Sequence, residues 1–383
     1  MANTLGVYNP IFYAQEALIQ LENALGMAGR IHRGYDAERR AFGKSDVISI
    51  RRPSTFTAQN APSTAQNVTT ETVNVTLDQW KEVKFALTDK ELTISEDRII
   101  EDHIRPAAYA LADNIDATLC GLYADVPHSH SLNATPGSVV TDIVTPRATM
   151  FANKVPLGDP SKLHYMCNGT LEAGFLANAA FAQWQGAGRT GEATQMRGAM
   201  GERYGMNLFA NQNVQTHTSG TANDTALEIV GTGAVGDTTV GLDAADGGVT
   251  GTVVPGDVLL IGGRNYAITT TTTAAGNAFV GVGISPPLKA ATADDDSVTL
   301  TTSDSTGENL MFHENFACLA TAPLSDMASA LGARVSSITD EASRLSIRSR
   351  VYYDGDNSKV NVALDVLWGY KTLDPDLAVR CRD

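Results

Sequence analysis

The sequence predicts an α+β chain that carries a separate all-β insertion. Three observations predict it. An apolar stripe at helical spacing (Ile100, Ile104, Ala108, Leu111, Ile115, Leu119, Leu122) marks one long helix. Two-residue alternation through Leu345, Ile347, Val351 and Tyr353, then through Val360, Val362, Leu364, Val366 and Trp368, marks paired strands. Between these, residues 220–305 change composition: fourteen glycines, sixteen threonines, two aromatics (Tyr266 and Phe279) and no helical period. The 383 residues allow two or three domains, and a 43% hydrophobic content supplies their cores.

Taken in order, residues 9–26 read as a helix with both ends marked. Asn9 suits the N-cap, Pro10 the first helical position, and Gly26 the position past the end. Ile11, Ala14, Leu18, Leu21 and Leu25 form its apolar stripe, which fits either a core helix or an arm docked on a neighbour. Residues 30–52 are locally basic (Arg30, His32, Arg33, Arg39, Arg40, Lys44, Arg51, Arg52), partly offset by Asp36, Glu38 and Asp46. Such a run is either a solvated face or a contact for an acidic partner. Val47, Ile48 and Ile50 start a strand closed by Pro53. Val73, Val75 and Leu77, then Val83, Phe85 and Leu87, alternate with polar residues. The Ser/Thr/Gln/Asn stretch from Pro53 to Glu71 has almost no apolar anchor, so these strands are expected to form a long arm with little core of its own.

The long helix begins near a capping box at Thr93 and Glu96, or at Ser95 with Glu96 and Asp97 in its first turn, and runs to about Tyr123. Pro106 is expected to kink it. Residues 163–181 read as a strand (Leu163 to Cys167), a turn at Asn168-Gly169 and a helix. Residues 182–204 read as loop and Gly205 to Asn211 as a strand. In the 220–305 stretch, Leu227–Val230, Val258–Ile261, Tyr266–Thr270, Phe279–Val282 and Val298–Thr301 are short β-branched runs between turn residues, the pattern of a small barrel or sandwich. "MFHENFACLATAPL" (Met311 to Leu324) reads as strand, and Asp354-Gly355 as a hairpin turn. The two strands around that turn are expected to cover the long helix at 97–123.

Charge and chemistry narrow the function. The net charge of −15 argues against coating nucleic acid, which requires Lys and Arg to neutralise phosphates. Ten acidic residues against two basic ones place about half of that charge in 220–305. Cys120, Cys167, Cys318 and Cys381 are far apart and form no C-x-x-C pair, which suits free thiols in a reducing cytoplasm. "MANTLGVYNP" lacks the basic start and apolar core of a signal peptide, and no apolar run approaches a membrane span. "VPGDVLLIGGRNYAITTTTT" pairs a strand-like run with Gly262-Gly263, but a β-rich run follows where a phosphate-binding turn needs a helix. His128 and His130 form the only close histidine pair. With Asp125 alone nearby they read as a solvated loop, and Asp294-Asp295-Asp296 reads as an acidic turn. No catalytic, cofactor-binding or metal-binding residues are expected.

The ordered set of segments resembles the major capsid (coat) protein of tailed bacteriophages, the Hong Kong 97-type fold. It is most similar to the Salmonella-podovirus-like coat proteins with an inserted β-barrel domain. "VTLDQWKEVKFALTDKELTIS" followed by "IRPAAYALADNIDATLCGLY" looks like the return strand of the extended loop and the spine helix. "GERYGMNLFANQNVQTHTSG" looks like the lead into the insertion, "VPGDVLLIGGRNYAI" like strands of the inserted barrel, and "FHENFACLATAPL" and "DVLWGYKTLDPDLAVR" like the closing strands. The likeness spans nearly the whole chain, and the Thr- and Gly-rich insertion is where it departs.

The resemblance implies an N-terminal arm (1–43), an extended two-stranded loop (44–94) and a peripheral domain with the spine helix (95–145). It further implies an axial domain in two parts (146–218 and 306–345) around an inserted barrel (219–305), then closing strands (346–383). It implies a non-enzymatic protein without cofactor, whose copies form the hexamers and pentamers of an icosahedral shell around packaged DNA, assembled in the bacterial host cytoplasm. Partners would be the chain itself, a scaffolding protein, a portal and, in some relatives, a decoration protein, with no sequence-specific nucleic-acid binding and no membrane. The expected inter-subunit contacts are Arg39, Arg40, Arg51 and Arg52 in the basic stretch, and Val73, Val75, Leu77, Val83, Phe85 and Leu87 on the arm. Some members of this fold cross-link a Lys to an Asn; Lys81, Lys84 and Lys90 lie near the arm, no local pattern marks one as reactive, and no cross-link is expected. The competing readings are a tail-tube or decoration protein, which the spine-like helix opposes, and a β-rich surface adhesin.

Overall fold

A computed structural model describes residues 10–34, 46–51, 58–61, 65, 72–88, 103–183, 194–198, 200–222, 227–244, 248–301, 304–305, 307–325, 334–340 and 344–383. Two compact units are present, one drawn from 1–115 and 317–373, the other from 116–316 and 374–383.

The first unit opens with α1 (Pro10–Ala24). Proline fits here because its fixed φ matches the helix and its missing N–H would have no partner in the first turn. Tyr13, Ala14, Ala17, Leu18 and Leu21 recur at three- and four-residue steps and are buried. Strands β1 (Val47–Arg51) and β2 (Thr72–Thr76) pair antiparallel, with Ile48 opposite Val75 and Ile50 opposite Val73. Strand β3 (Gln79–Thr88) follows. Helix α2 (Arg105–Cys120) buries Ala107, Ala108, Leu111, Ala112, Ile115 and Leu119 on one stripe and passes into the second unit, where Gly121–Asp125 tightens into a 3₁₀ turn. Thr93, Ser95, Glu96 and Asp97, the expected caps, lie outside the described residues. Pro106 stands at the second position of α2, directly after a π-helical turn at 103–104.

The second unit continues with β4 (Ser129–Ser131), α3 (Thr141–Ala152), β5 (Leu163–Cys167), α4 (Gly169–Ala177), α5 (Ala179–Ala182), β6 (Glu202–Arg203) and β7 (Met206–Ala210). The expected turn at Asn168-Gly169 is instead a helix cap: the Asn168 side chain accepts the Leu171 N–H at 2.9 Å. Asparagine suits both roles, and the apolar residues that follow (Leu171, Phe175) favour the helix. Phe175 stacks on Phe181 with centroids 5.1 Å apart and meets Tyr165 edge-on, forming a core with Ile143, Met150, Leu163 and Met206.

Eight strands then build the all-β region: β8 (Leu227–Val230), β9 (Thr239–Ala244), β10 (Thr252–Val253), β11 (Val258–Ile261), β12 (Arg264–Ile268), β13 (Thr272–Thr273), β14 (Ala278–Ser285) and β15 (Ser297–Thr301). Six of them close in the order β11-β12-β14-β9-β8-β15, with β15 returning to β11. Closure leaves no open sheet edge. Leu227, Ile229, Leu242, Leu259, Ile268, Phe279, Val282 and Leu300 fill the inside. Gly262 (φ +56°) and Gly263 (φ +78°) form a two-residue turn that sets Ile261 opposite Arg264. Both positive φ values fit the hairpin turn that glycine favours, so this pair closes a hairpin. Strand β9 was not expected from the sequence, because Gly241 interrupts its β-branched pattern.

Strand β16 (Glu308–His313) returns to the host sheet, whose order is β4-β21-β16-β5-β7-β6, with β21 being Ala378–Arg382. Both β7 and β16 pair with β5, one on each side. The barrel between them in sequence is therefore an excursion from a sheet that is continuous without it.

The expected single strand at Met311–Leu324 is two strands. A 3₁₀ turn at Glu314–Phe316 separates β16 from β17 (Ala317–Ala322), and the two join different sheets in different units. The Asn315 N–H donates to His313 Nδ1 at 3.1 Å and Phe316 is buried, which fixes the break. Strands β18 (Arg334–Thr339), β19 (Ser346–Asp354) and β20 (Lys359–Thr372) complete the first unit. Strand β20 pairs with β19 along one side. On that same side it then pairs with β17, and along its other side it pairs with β3. The helix packed on β18 and β19 is α1, where the sequence pointed to the helix at 97–123.

One close approach tests this packing. A Cβ at Gly369 of β20 would sit 2.1 Å from the Thr76 carbonyl oxygen at the end of β2. Gly369→Ala is expected to destabilise the first unit by about 3 kcal/mol, since backbone must move to admit the methyl. Urea unfolding of the chain reads this directly.

Candidate functional site

Among the described residues, no group of three or more His, Cys, Asp or Glu side chains could hold a metal. No helix of those residues is long and apolar enough to cross a membrane. The four cysteines are buried. Burial pushes the Cys120 and Cys167 thiols well above their usual range and those of Cys318 and Cys381 to about 12, which keeps them protonated and unreactive. His128 and His130 are not in a solvated loop: His130 lies in β4, paired in parallel with β21, and His128 Nε2 is 3.1 Å from Asp376 Oδ1. Asp294-Asp295-Asp296 is a turn, with Asp294 accepting the Gly231 N–H at 2.6 Å.

A Tyr-His-Asp chain does occur. His217 Nε2 is 3.1 Å from Asp257 Oδ1, and its Nδ1 is 3.3 Å from the Tyr123 hydroxyl. Asp257 also accepts N–H groups from Gly220 and Val254. Beside it the buried Arg380 guanidinium donates to the Gly256 carbonyl at 2.8 Å, stands over the Tyr123 ring, and faces buried Glu308 at 3.8 Å. Burial lowers the Arg380 pKa to about 10, opposed by Glu308, so it stays charged at neutral pH. His217 and Asp257 are buried and both nitrogens of His217 are engaged, while Tyr123 is half-buried. The cluster ties the lead into the barrel (His217) and the turn before β11 (Gly256, Asp257) to Tyr123 of the 3₁₀ turn and Arg380 of β21.

The more informative surface is β3. Its two faces differ in chemistry. Val83, Phe85 and Leu87 lie opposite Leu364, Val362 and Val360 of β20, so the apolar phase of the supposed arm continues the apolar face of the chain's own sheet. All three are half-buried, and the His103 ring lies 5.4 Å from Phe85. On the opposite face Glu82, Asp365 and Arg348 stand in one register row across β3, β20 and β19. Arg348 makes a forked pair with the fully buried Asp365, its Nε donating at 3.0 Å. Arg350 bridges Glu82 (2.9 Å) and Asp365 (3.3 Å), and the Trp80 indole N–H also donates to Asp365. Lys84 stands 5.1 Å over the Tyr352 ring, and its hydrogen bond with that tyrosine raises its pKa, the opposite of what a nucleophilic amine requires. Lys90 lies outside the described residues.

The expected contact residues therefore separate. Arg39, Arg40 and Arg52 lie outside the described residues, and Arg51 is exposed at the end of β1. Val75 and Leu77 are buried in a cluster with Ile48, Ile50, Cys318, Ala320 and Ala322. The expectation that the arm has little core of its own is thus corrected at its base, where the closing strand β17 supplies one. Val73, Val83, Phe85 and Leu87 keep part of their surface exposed.

No protein-family model matches the chain, and no curated protein matches it. Among solved structures, one described as Mycobacterium phage Che8 superposes with a TM-score of 0.53 at 12% identity, over 93% of this chain and 90% of that one. This chain shares that phage protein's fold. Lower likenesses are to the asymmetric unit of the bacteriophage PhiM1 mature capsid (TM-score 0.48, 11% identity, 89% of this chain and 82% of that one) and to the capsid of cyanophage P-SCSP1u (0.47, 11%, 88% and 82%).

Within that fold, the surface overlooked in the sequence is led by Trp80, 58% exposed. It stands in the polar phase of β3, with Glu82 and Lys84. A tryptophan in that polar phase is the signal the sequence carries, masked by the stronger Val83-Phe85-Leu87 alternation.

Proposed function

We propose that the chain is the major capsid protein of a tailed double-stranded DNA bacteriophage, self-assembling into hexamers and pentamers of an icosahedral shell. The observation that carries this reading is the fold shared with the Mycobacterium phage Che8 chain across nine-tenths of both chains. It agrees with the ordered segment resemblance in the sequence. The Tyr-His-Asp group and the buried Arg-Glu pair act here as fasteners and the protein as a non-enzymatic building block. On this reading β3 and the basic 30–52 stretch meet neighbouring copies, through Arg39, Arg40, Arg51, Arg52, Val73, Val83, Phe85 and Leu87. Val75 and Leu77 stiffen the base from which the loop projects. The inserted barrel is a surface module on the 146–218 and 306–345 axial parts. A scaffolding protein and a portal are the partners during assembly in the host cytoplasm, with a decoration protein as a later addition.

Mass photometry of the purified chain tests the reading: six- and five-copy species are expected, and a monomer at every concentration would overturn it. Reversing two charges by Arg39→Glu and Arg40→Glu is expected to slow assembly at least tenfold by light scattering, because opposite charges steer association. An unchanged assembly rate would remove the basic stretch from the interface.

A further inference from the structure

In the second unit a cleft of about 500 Å³ lies between the turn after α3 and the barrel's β11–β12 hairpin. That volume is within the range of small-ligand sites, roughly 300–1,000 Å³. Its lining is anomalous in charge. The chain carries 43 acidic and 28 basic residues, and 220–305 holds only two basic ones, Arg264 and Lys289. Both line this cleft, and Lys154 joins them from the host side. Among the described residues their side chains make no salt bridge and no hydrogen bond. The single carboxylate in the lining, Asp376, is already paired with His128 at 3.1 Å. Its pKa is lowered first by that hydrogen bond, and Lys289 and Arg264 lower it further, so their field reaches across the space.

Three cations brought together from separate segments repel one another. Cleft walls focus such a field on whatever enters. Asn153 adds an amide, and the Arg264 guanidinium presents the planar fork that suits two oxygens of one ligand. The lining is mostly polar, which disfavours an apolar guest. We propose that this cleft binds a small free oxyanion of two or more negative charges, of the polyphosphate or polycarboxylate class, held by Lys154, Arg264 and Lys289.

The proposal rests on the second unit alone and stands apart from the capsid reading. Isothermal titration of the full-length chain with inorganic tripolyphosphate, and separately with citrate, tests it. At least one is expected to bind with a Kd of millimolar or tighter, weakening severalfold as NaCl rises from 20 to 300 mM. Arg264→Ala and the pair Lys154→Ala, Lys289→Ala are each expected to weaken that binding at least tenfold. Arg264, Lys154 and Lys289 are exposed, so folding should persist, and an unchanged urea midpoint checks this. Tighter binding of tripolyphosphate assigns the site to phosphoryl ligands, and of citrate to carboxylates; either supports it. Failure of both to bind, or equal binding by the folded variants, would overturn it.

Discussion

Asp365→Ala is expected to cost the unassembled chain about 3–5 kcal/mol, the range for removing one partner from a buried ion pair. Asp365 is fully buried on β20 and receives Arg348 through two nitrogens, Arg350 at 3.3 Å and the Trp80 indole at 3.3 Å. Its removal leaves the Arg348 guanidinium, itself nearly buried, without its counter-charge between two strands. The loss should appear as a lower urea midpoint with an unchanged m-value. A double change, Arg348→Leu with Asp365→Leu, removes both charges at once and is expected to recover most of the loss, because an apolar pair of similar volume carries no stranded charge. If the double variant were as unstable as the single one, packing rather than charge would explain the row.

Trp80→Ala is expected to raise the concentration needed for assembly at least tenfold. Trp80 is a large aromatic more than half exposed on a strand that otherwise shows Lys81, Glu82 and Lys84 to solvent. Exposed tryptophans are the commonest strong contributors at protein interfaces, and truncating one typically costs 2 kcal/mol or more of association. A tenfold change corresponds to about 1.4 kcal/mol. The indole also donates to Asp365, so the substitution lowers folding stability as well. Trp80→Phe separates the two effects: it loses the hydrogen bond, roughly 1 kcal/mol of stability, and keeps most of the ring area. Assembly by the Phe variant near the normal threshold, with failure by the Ala variant, is the expected pattern. Equal thresholds for all three would place Trp80 outside the interface.

Much of this architecture was legible because the apolar periods are long and clean. The α1 stripe, the β19–β20 alternation and the glycine- and threonine-rich barrel each follow from spacing that only one kind of element satisfies. The misses have local causes. Strand β9 was hidden by Gly241, which lowers strand propensity in the middle of a run. The break at Glu314–Phe316 was hidden because Phe312 and Phe316 suit a continuous strand and a turn equally well. Tertiary pairing was the least legible link. Val75 and Leu77 alternate just as Val83 and Phe85 do, yet the first pair is buried by β17 from the far end of the chain. The second pair lies in register with β20. Nothing in the local pattern distinguishes those partners. The anion cleft was invisible for the same reason: Lys154, Arg264 and Lys289 are separated in sequence and meet only after the barrel closes.

A negative-stain micrograph of the overexpressed, purified chain is the most direct test of whether it builds a shell. Closed, roughly spherical particles of uniform diameter, or rings of five and six that grow into them, are the expected image. Tubes, or single particles the size of one chain even at the highest concentration, would contradict the account.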